Sequence, residues 1–294
     1  MTKKLSTNMI AEYIAKITED GKVSKGTITT YANVGRSIPF NISTTQPTII
    51  KKVKALSDNP NTTAANLNLI ILVRRDNDLE VDKLISTRNG LSKSITEARK
   101  EGLSEMADQL PSYKYITDEL NSLSGKRFIM NYLFVHHGLR NKDLNLQFVK
   151  KVPTTGDENY ITSNKKRAKL YIRDYKTEKS HGEKQITVED EKFISELRKL
   201  GLSDGEHLLS KADGGKITSV STFNEKVMNL SIDRLGQNRI VKIVVRHLLN
   251  TRAFDKLEQL GKDRGTSLDV ILKSYNLHNG AKDEDKEPAK EQHK

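Results

Sequence analysis

Lys169-Leu170-Tyr171-Ile172 and Lys184-Gln185-Ile186-Thr187-Val188 are the two stretches whose reading decides the fold. Each alternates apolar and polar residues with the period of two that a half-buried strand requires. Between them lies a polar, charged segment, Tyr175-Lys176-Thr177-Glu178-Lys179-Ser180-His181-Gly182-Glu183. The two stretches therefore read as a hairpin that presents lysines at its tip. Almost everything on either side carries helical spacing, so the chain reads as mainly α with a small antiparallel sheet.

Just upstream, residues 113–123 and 126–137 read as helices, and Gly138 supplies the glycine that commonly ends one. Residues 146–152 read as a further strand. Asp108-Gln109-Leu110-Pro111-Ser112 reads as a linker, because Pro111 disfavours helix at Leu110 and Ser112 can cap the next helix. Before it the pattern is helical throughout. Met9, Ile10, Tyr13, Ile14 and Ile17 form one stripe. A second helix, capped by Ser24, ends near Gly35, and Pro39 and Pro47 flank a loop. Ile49, Ile50, Val53 and Leu56 mark a third, and residues 61–73, 79–91 and 95–106 mark three more. Downstream of the hairpin, helices are expected over 189–200, 219–230, 240–249, 254–260 and 267–275. Residues 279–294 are polar, contain Pro288 and lack apolar periodicity, so they should be disordered. The organisation expected is a helical domain at 1–111, an α+β domain at 112–277 and a charged tail at 278–294.

Fifty Lys and Arg stand against 38 Asp and Glu, a net charge of +12. The tail from Asn279 holds four lysines and five acids, so the basic excess belongs to the rest of the chain. Such a body attracts polyanions and releases their counterions, which points to a nucleic acid as a partner. The absence of cysteine excludes disulfides, thiolate catalysis and Cys-ligated zinc. His136 and His137 are adjacent and point to different sides of a helix, a poor metal-ligand spacing, and neither a metal nor a cofactor is expected. No phosphate-binding GxxxxGK[ST] loop and no GxSxG elbow is present. The longest apolar run, residues 67–73, stops at Arg74-Arg75, short of the roughly 20 residues of a membrane span. The N-terminus lacks a signal-peptide core, so an intracellular place with DNA (cytoplasm, nucleus or virion) is expected.

Four segments fall in a telling order. Gly138-Leu139-Arg140-Asn141-Lys142-Asp143-Leu144 follows a helix, and Tyr175-Lys176-Thr177 enters the hairpin connection. Val245-Arg246-His247 lies in an apolar helix, and Gly265-Thr266-Ser267 precedes Tyr275, nine residues beyond Thr266. This order resembles the catalytic domain of the tyrosine recombinases, the phage-type integrases. That family carries G-L-R-x-x-E-L, a hairpin lysine, H-x-x-R-H, then G-H-S with a nucleophilic tyrosine nine residues past the histidine. The resemblance covers roughly residues 113–276, and the helical part before it is similar to the family's core-binding domain.

The resemblance implies cleavage and rejoining of double-stranded DNA through a 3′-phosphotyrosine, by a protein of a virus or mobile element. It puts Arg140 and Arg246 on the phosphate, where two forked guanidinium groups stabilise the charge built up by in-line attack. Lys176 becomes the acid for the leaving oxygen, with Lys179 and Lys184 as alternatives, and Tyr275 the nucleophile. Asp143 falls on the acidic position that orients the first arginine. Arg252 lies too close to Gly265 for the family spacing. Two family histidines are replaced, by Ile243 and Thr266. Lys242, next to Ile243, and Thr266 are then supporting groups, and His247 helps position its helix. The family pattern also implies self-association, as a tetramer on two duplexes. A topoisomerase of type IB and a non-catalytic DNA-binding descendant of a recombinase fit the same residues. A replication or transcription factor of another fold would show helix across 146–188.

Overall fold

The run Leu67-Asn68-Leu69-Ile70-Ile71-Leu72-Val73 is buried on almost every side, so its helix is the one the others pack around. The computed structural model of the chain describes residues 8–20, 23, 25–37 and 44–276, which divide between two units, Met1–Leu103 and Ser104–Lys294. The N-terminal unit contains α1 (Asn8–Glu19), α2 (Lys25–Ser37), α3 (Gln46–Leu56), α4 (Pro60–Asp76) and most of α5 (Asp82–Gln109). The Asn59 side chain accepts the Asn61 N–H to start α4, and Pro60 has no N–H there to satisfy. Gln46 reaches across to accept the N–H groups of Lys83 and Leu84 in the first turn of α5. Met9, Ile10, Ile49, Val53 and Leu84 close the core around α4.

Two helix expectations change here. Gly35 lies inside α2 and does not end it. A Cβ at that position would come within 2.6 Å of Ile10 Cγ2, so the glycine serves the close approach of α1 and α2. The two helices expected over 79–106 are one, α5, because the intervening Ser92, Ser94 and Thr96 hydroxyls bond the carbonyls four residues back and leave the ladder unbroken. Ser24, Pro39 and the tail from Asn279 lie outside the described residues.

The second unit runs α6 (Tyr113–Ser122), α7 (Gly125–His137), β1 (Leu146–Phe148), β2 (Asn159–Ser163), β3 (Ala168–Ile172), α8 (Glu178–His181) and β4 (Lys184–Val188). It continues with α9 (Glu191–Lys199), α10 (Val220–Leu230), α11 (Gln237–Asn250), α12 (Phe254–Arg264) and α13 (Leu268–Tyr275). Ser112, Asp190, Ser219 and Ser267 cap α6, α9, α10 and α13. Phe128, Ile129, Met130, Leu133 and Phe134 bury α7 among α9, α10, α11 and α12.

The chain is thus mostly helical with one four-stranded sheet of order β1-β2-β3-β4. The sheet is mixed, not antiparallel as the sequence suggested. β2–β3 and β3–β4 are antiparallel, but β1 and β2 run parallel with Leu146 opposite Asn159. Residues 149–158 carry the chain back before β2 begins, so the two strands point the same way. β1 stops at Phe148, short of the strand expected to 152, because the Lys150 N–H goes to the Asp204 carboxylate. Inward positions alternate as Ala168, Leu170, Ile172 on β3 and Lys184, Ile186, Val188 on β4. Lys184 therefore occupies a core-facing site in the row, opposite Ile172.

Asn159, only 2% exposed, ties the loop after α7 to the connection after β3. Its amide donates to the carbonyls of Lys142, Asp143 and Asp174, and its oxygen accepts the N–H groups of Arg173 and Asp174. Asn159→Leu strands these backbone groups in the interior and is expected to cost about 3 kcal/mol. Urea unfolding measures it, and a variant as stable as the parent would show that the loops do not depend on this side chain.

Candidate active site

The site is built on the end of α7. Gly138 takes the left-handed conformation (φ 59°) that closes the helix, and Leu139 is buried behind it. The chain then turns through residues 140–144. Asp143, with no exposure at all, accepts the Arg140 backbone N–H at 3.2 Å. Asp143 therefore orients Arg140 through its main chain. The Arg140 guanidinium reaches across to the Arg264 carbonyl at 2.6 Å.

Arg264, at the end of α12, is 1% exposed and is the hub of the cluster. One terminal nitrogen bonds the Gly138 carbonyl. The other donates to Asn238 Oδ1 at 2.9 Å and to the Tyr275 hydroxyl at 2.7 Å. The Tyr275 ring lies across the guanidinium, 4.8 Å from centroid to carbon. Behind it, Asp263 holds His137 Nδ1 at 2.6 Å, which fixes the end of α12 to the end of α7.

The β3–β4 connection docks on Gly265. The Thr177 hydroxyl donates to the Gly265 carbonyl at 2.7 Å, and Tyr175, fully buried, donates to the Gly182 carbonyl. Lys176 sits between these two fixed residues, with its own side chain exposed. Lys184 lies below, donating to the Asp263 carbonyl at 2.8 Å, 3.5 Å from Asp143 Oδ2 and over the Tyr175 ring at 4.1 Å.

Of the residues singled out in the sequence, Arg140, Asp143 and Tyr275 thus belong to one cluster, and Lys176 stands on the loop that packs against it. Thr266 continues from Gly265, its N–H bonded to the Gly261 carbonyl. Arg246 goes elsewhere, donating to the Pro111 carbonyl, while His247 stacks on Tyr113 at 3.8 Å. Ile243 is fully buried and Lys242 half-buried on the same helix. Arg246 is eight residues beyond Asn238, roughly 12 Å along α11, which explains why the two serve different neighbours. Sequence reading missed Arg264, which looked like an ordinary cation in a last helical turn, and Asn238, which carried no signal.

The electrostatics favour an anion. Neither the Arg140 nor the Arg264 guanidinium has a carboxylate partner among the described residues. Burial, and then the adjacent Arg264 charge, push the Arg140 guanidinium below its ordinary pKa, with Asp143 and the two tyrosines opposing. Burial likewise pushes the Lys184 ammonium down, against the pull of Asp143. Two neighbouring guanidinium groups with no carboxylate bonded to either make the cluster attractive to an anion. Among the described residues no His, Asp and Glu cluster could hold a metal ion, and no helix is long and apolar enough to cross a membrane.

No family model matches the chain, and no curated protein matches it. Among solved structures, a crystal structure of XerA recombinase is weakly similar. It has a TM-score of 0.35 and 12% identity over 93% of this chain and 95% of that one. A match at that TM-score does not establish a shared fold, and the site's chemistry is read from its own side chains.

Gly265 combines a positive φ (+65°) with a Cβ position 2.8 Å from the Tyr175 ring and 3.2 Å from Thr177 Oγ1. Gly265→Ala should therefore cost about 1–3 kcal/mol and loosen residues 175–177. Denaturant unfolding gives the first quantity, and faster amide exchange at Tyr175 and Thr177 reports the second. Unchanged protection there would show that the loop is held by something other than Gly265.

Proposed function

We propose that this chain cleaves and rejoins duplex DNA through a covalent bond between Tyr275 and a 3′ phosphate, as a site-specific recombinase or integrase. One observation carries the reading: the Tyr275 hydroxyl is held 2.7 Å from a buried arginine, beside a second arginine, with no carboxylate on either.

In the step proposed, the Tyr275 oxygen attacks phosphorus and loses its proton to solvent, while the bond from phosphorus to the 5′ oxygen breaks. Arg264 already donates to the attacking oxygen and stabilises it as charge develops. Arg140, half-exposed, faces the non-bridging oxygens. The leaving 5′ oxygen takes a proton from Lys176, whose side chain is exposed on the loop docked at Gly265. Return of the 5′ hydroxyl reverses each transfer, and the phosphotyrosine conserves the bond energy, so neither ATP nor a metal enters. Arg264 here takes the place that the sequence motif gave to Arg246. Residues 1–111 would clamp the duplex, residues 112–277 would carry the chemistry, and copies of the chain would associate on DNA to exchange strands.

The test is a nicked suicide substrate, incubated without ATP or metal and resolved after denaturation. The parent should form a protein–DNA adduct that Tyr275→Phe abolishes. Arg264→Ala should slow adduct formation by about 10²–10³-fold, the usual cost of one transition-state donor. Arg246→Ala should stay within about tenfold of the parent. An adduct surviving Tyr275→Phe overturns the reading. So does tight, salt-sensitive DNA binding with no adduct, which would mark a non-catalytic DNA-binding protein.

A further inference from the structure

Asn238 lies in the first turn of α11, exposed, with its side-chain oxygen bound to the two groups at the centre of the site. Oδ1 accepts from Arg264 Nη2 at 2.9 Å and lies 3.5 Å from the Tyr275 hydroxyl. A guanidinium only donates, so the amide must turn its oxygen toward Arg264 and its NH₂ the other way. That NH₂ has no hydrogen-bond partner among the described residues. Asn238 is exposed, so this NH₂ is open to solvent, one amide's width from the oxygen that meets Arg264 and Tyr275.

We infer that Asn238 is a catalytic residue of the reaction proposed above, donating its amide N–H to a non-bridging oxygen of the scissile phosphate. The inference rests on that reading. It gives the site a neutral donor in addition to the two guanidinium groups, and one that a purely structural account of Asn238 does not require. In the structural account, Asn238 only accepts from Arg264 and keeps it in place.

The two accounts part at Asn238→Asp. The carboxylate keeps, and strengthens, the acceptor for Arg264, but it removes the donor and turns a negative charge toward the phosphate. Adduct formation at saturating suicide substrate should fall by about 10²-fold or more in Asn238→Asp. Asn238→His, which restores a donor, should recover at least tenfold over Asn238→Ala. Affinity for uncleaved DNA should change far less than the rate. Since the residue is exposed, thermal unfolding should keep each variant within a few degrees of the parent. A parental rate in Asn238→Asp overturns the inference, as does a histidine variant no faster than alanine. Failure of the underlying reading shows separately, as an adduct that persists in Tyr275→Phe.

Discussion

A guanidinium buried without a carboxylate organises this site. Arg264 is sealed from solvent, yet the groups it bonds are neutral: the Gly138 carbonyl, the Asn238 amide and the Tyr275 hydroxyl. Its own carbonyl receives Arg140. One residue thus joins the end of α7, the start of α11 and the end of α13. Dipoles offset part of the desolvation cost, but they leave the net charge uncancelled. The arrangement therefore retains an electrostatic demand that an anion would satisfy.

Much of this was legible in the sequence. The hairpin strands announce themselves through alternation, and Gly138 through its place at the end of an apolar helix. Lys184 shares the parity of Ile186 and Val188, so its burial follows from the strand pattern alone. β2 was not legible, because Asn159, Thr162 and Ser163 dilute its apolar signal and its partners lie on both sides of the sheet. The place of Arg264 at the centre of the cluster was not legible either. A helix pattern shows which face a charge occupies but not which distant segment meets it. Arg246, in an apolar helix, donates to the Pro111 carbonyl, while Arg264, in the last turn of α12, meets Gly138, Asn238 and Tyr275.

The two lysines of the hairpin region divide along the same physical line. Lys184 is held by the Asp263 carbonyl, Asp143 and the Tyr175 ring, and its charge balances the buried Asp143 that positions Arg140. Moving it to a leaving group would break each of these contacts at once. Lys176 has a fixed backbone and an exposed side chain, which is what a proton donor to an incoming strand requires.

The position of Tyr275 depends on its contacts with Arg264. α13 is short, and Ile271 is its one fully buried side chain, while Leu268, Val270 and Leu272 remain exposed. What fixes the end of the helix is the ring of Tyr275 over Arg264 and the bond from that guanidinium to the hydroxyl. A cation over an aromatic face contributes about 0.5–2 kcal/mol, and the charge-assisted hydrogen bond adds to it. The tyrosine recombinase motif has histidines where this chain has Ile243 and Thr266, and neither of these side chains takes up a proton or carries a charge. Here one buried guanidinium, Arg264, and the neutral Asn238 amide meet the tyrosine oxygen. In the reaction proposed, Tyr275 would rely on electrostatic preorganisation by Arg264 rather than on a titrating imidazole.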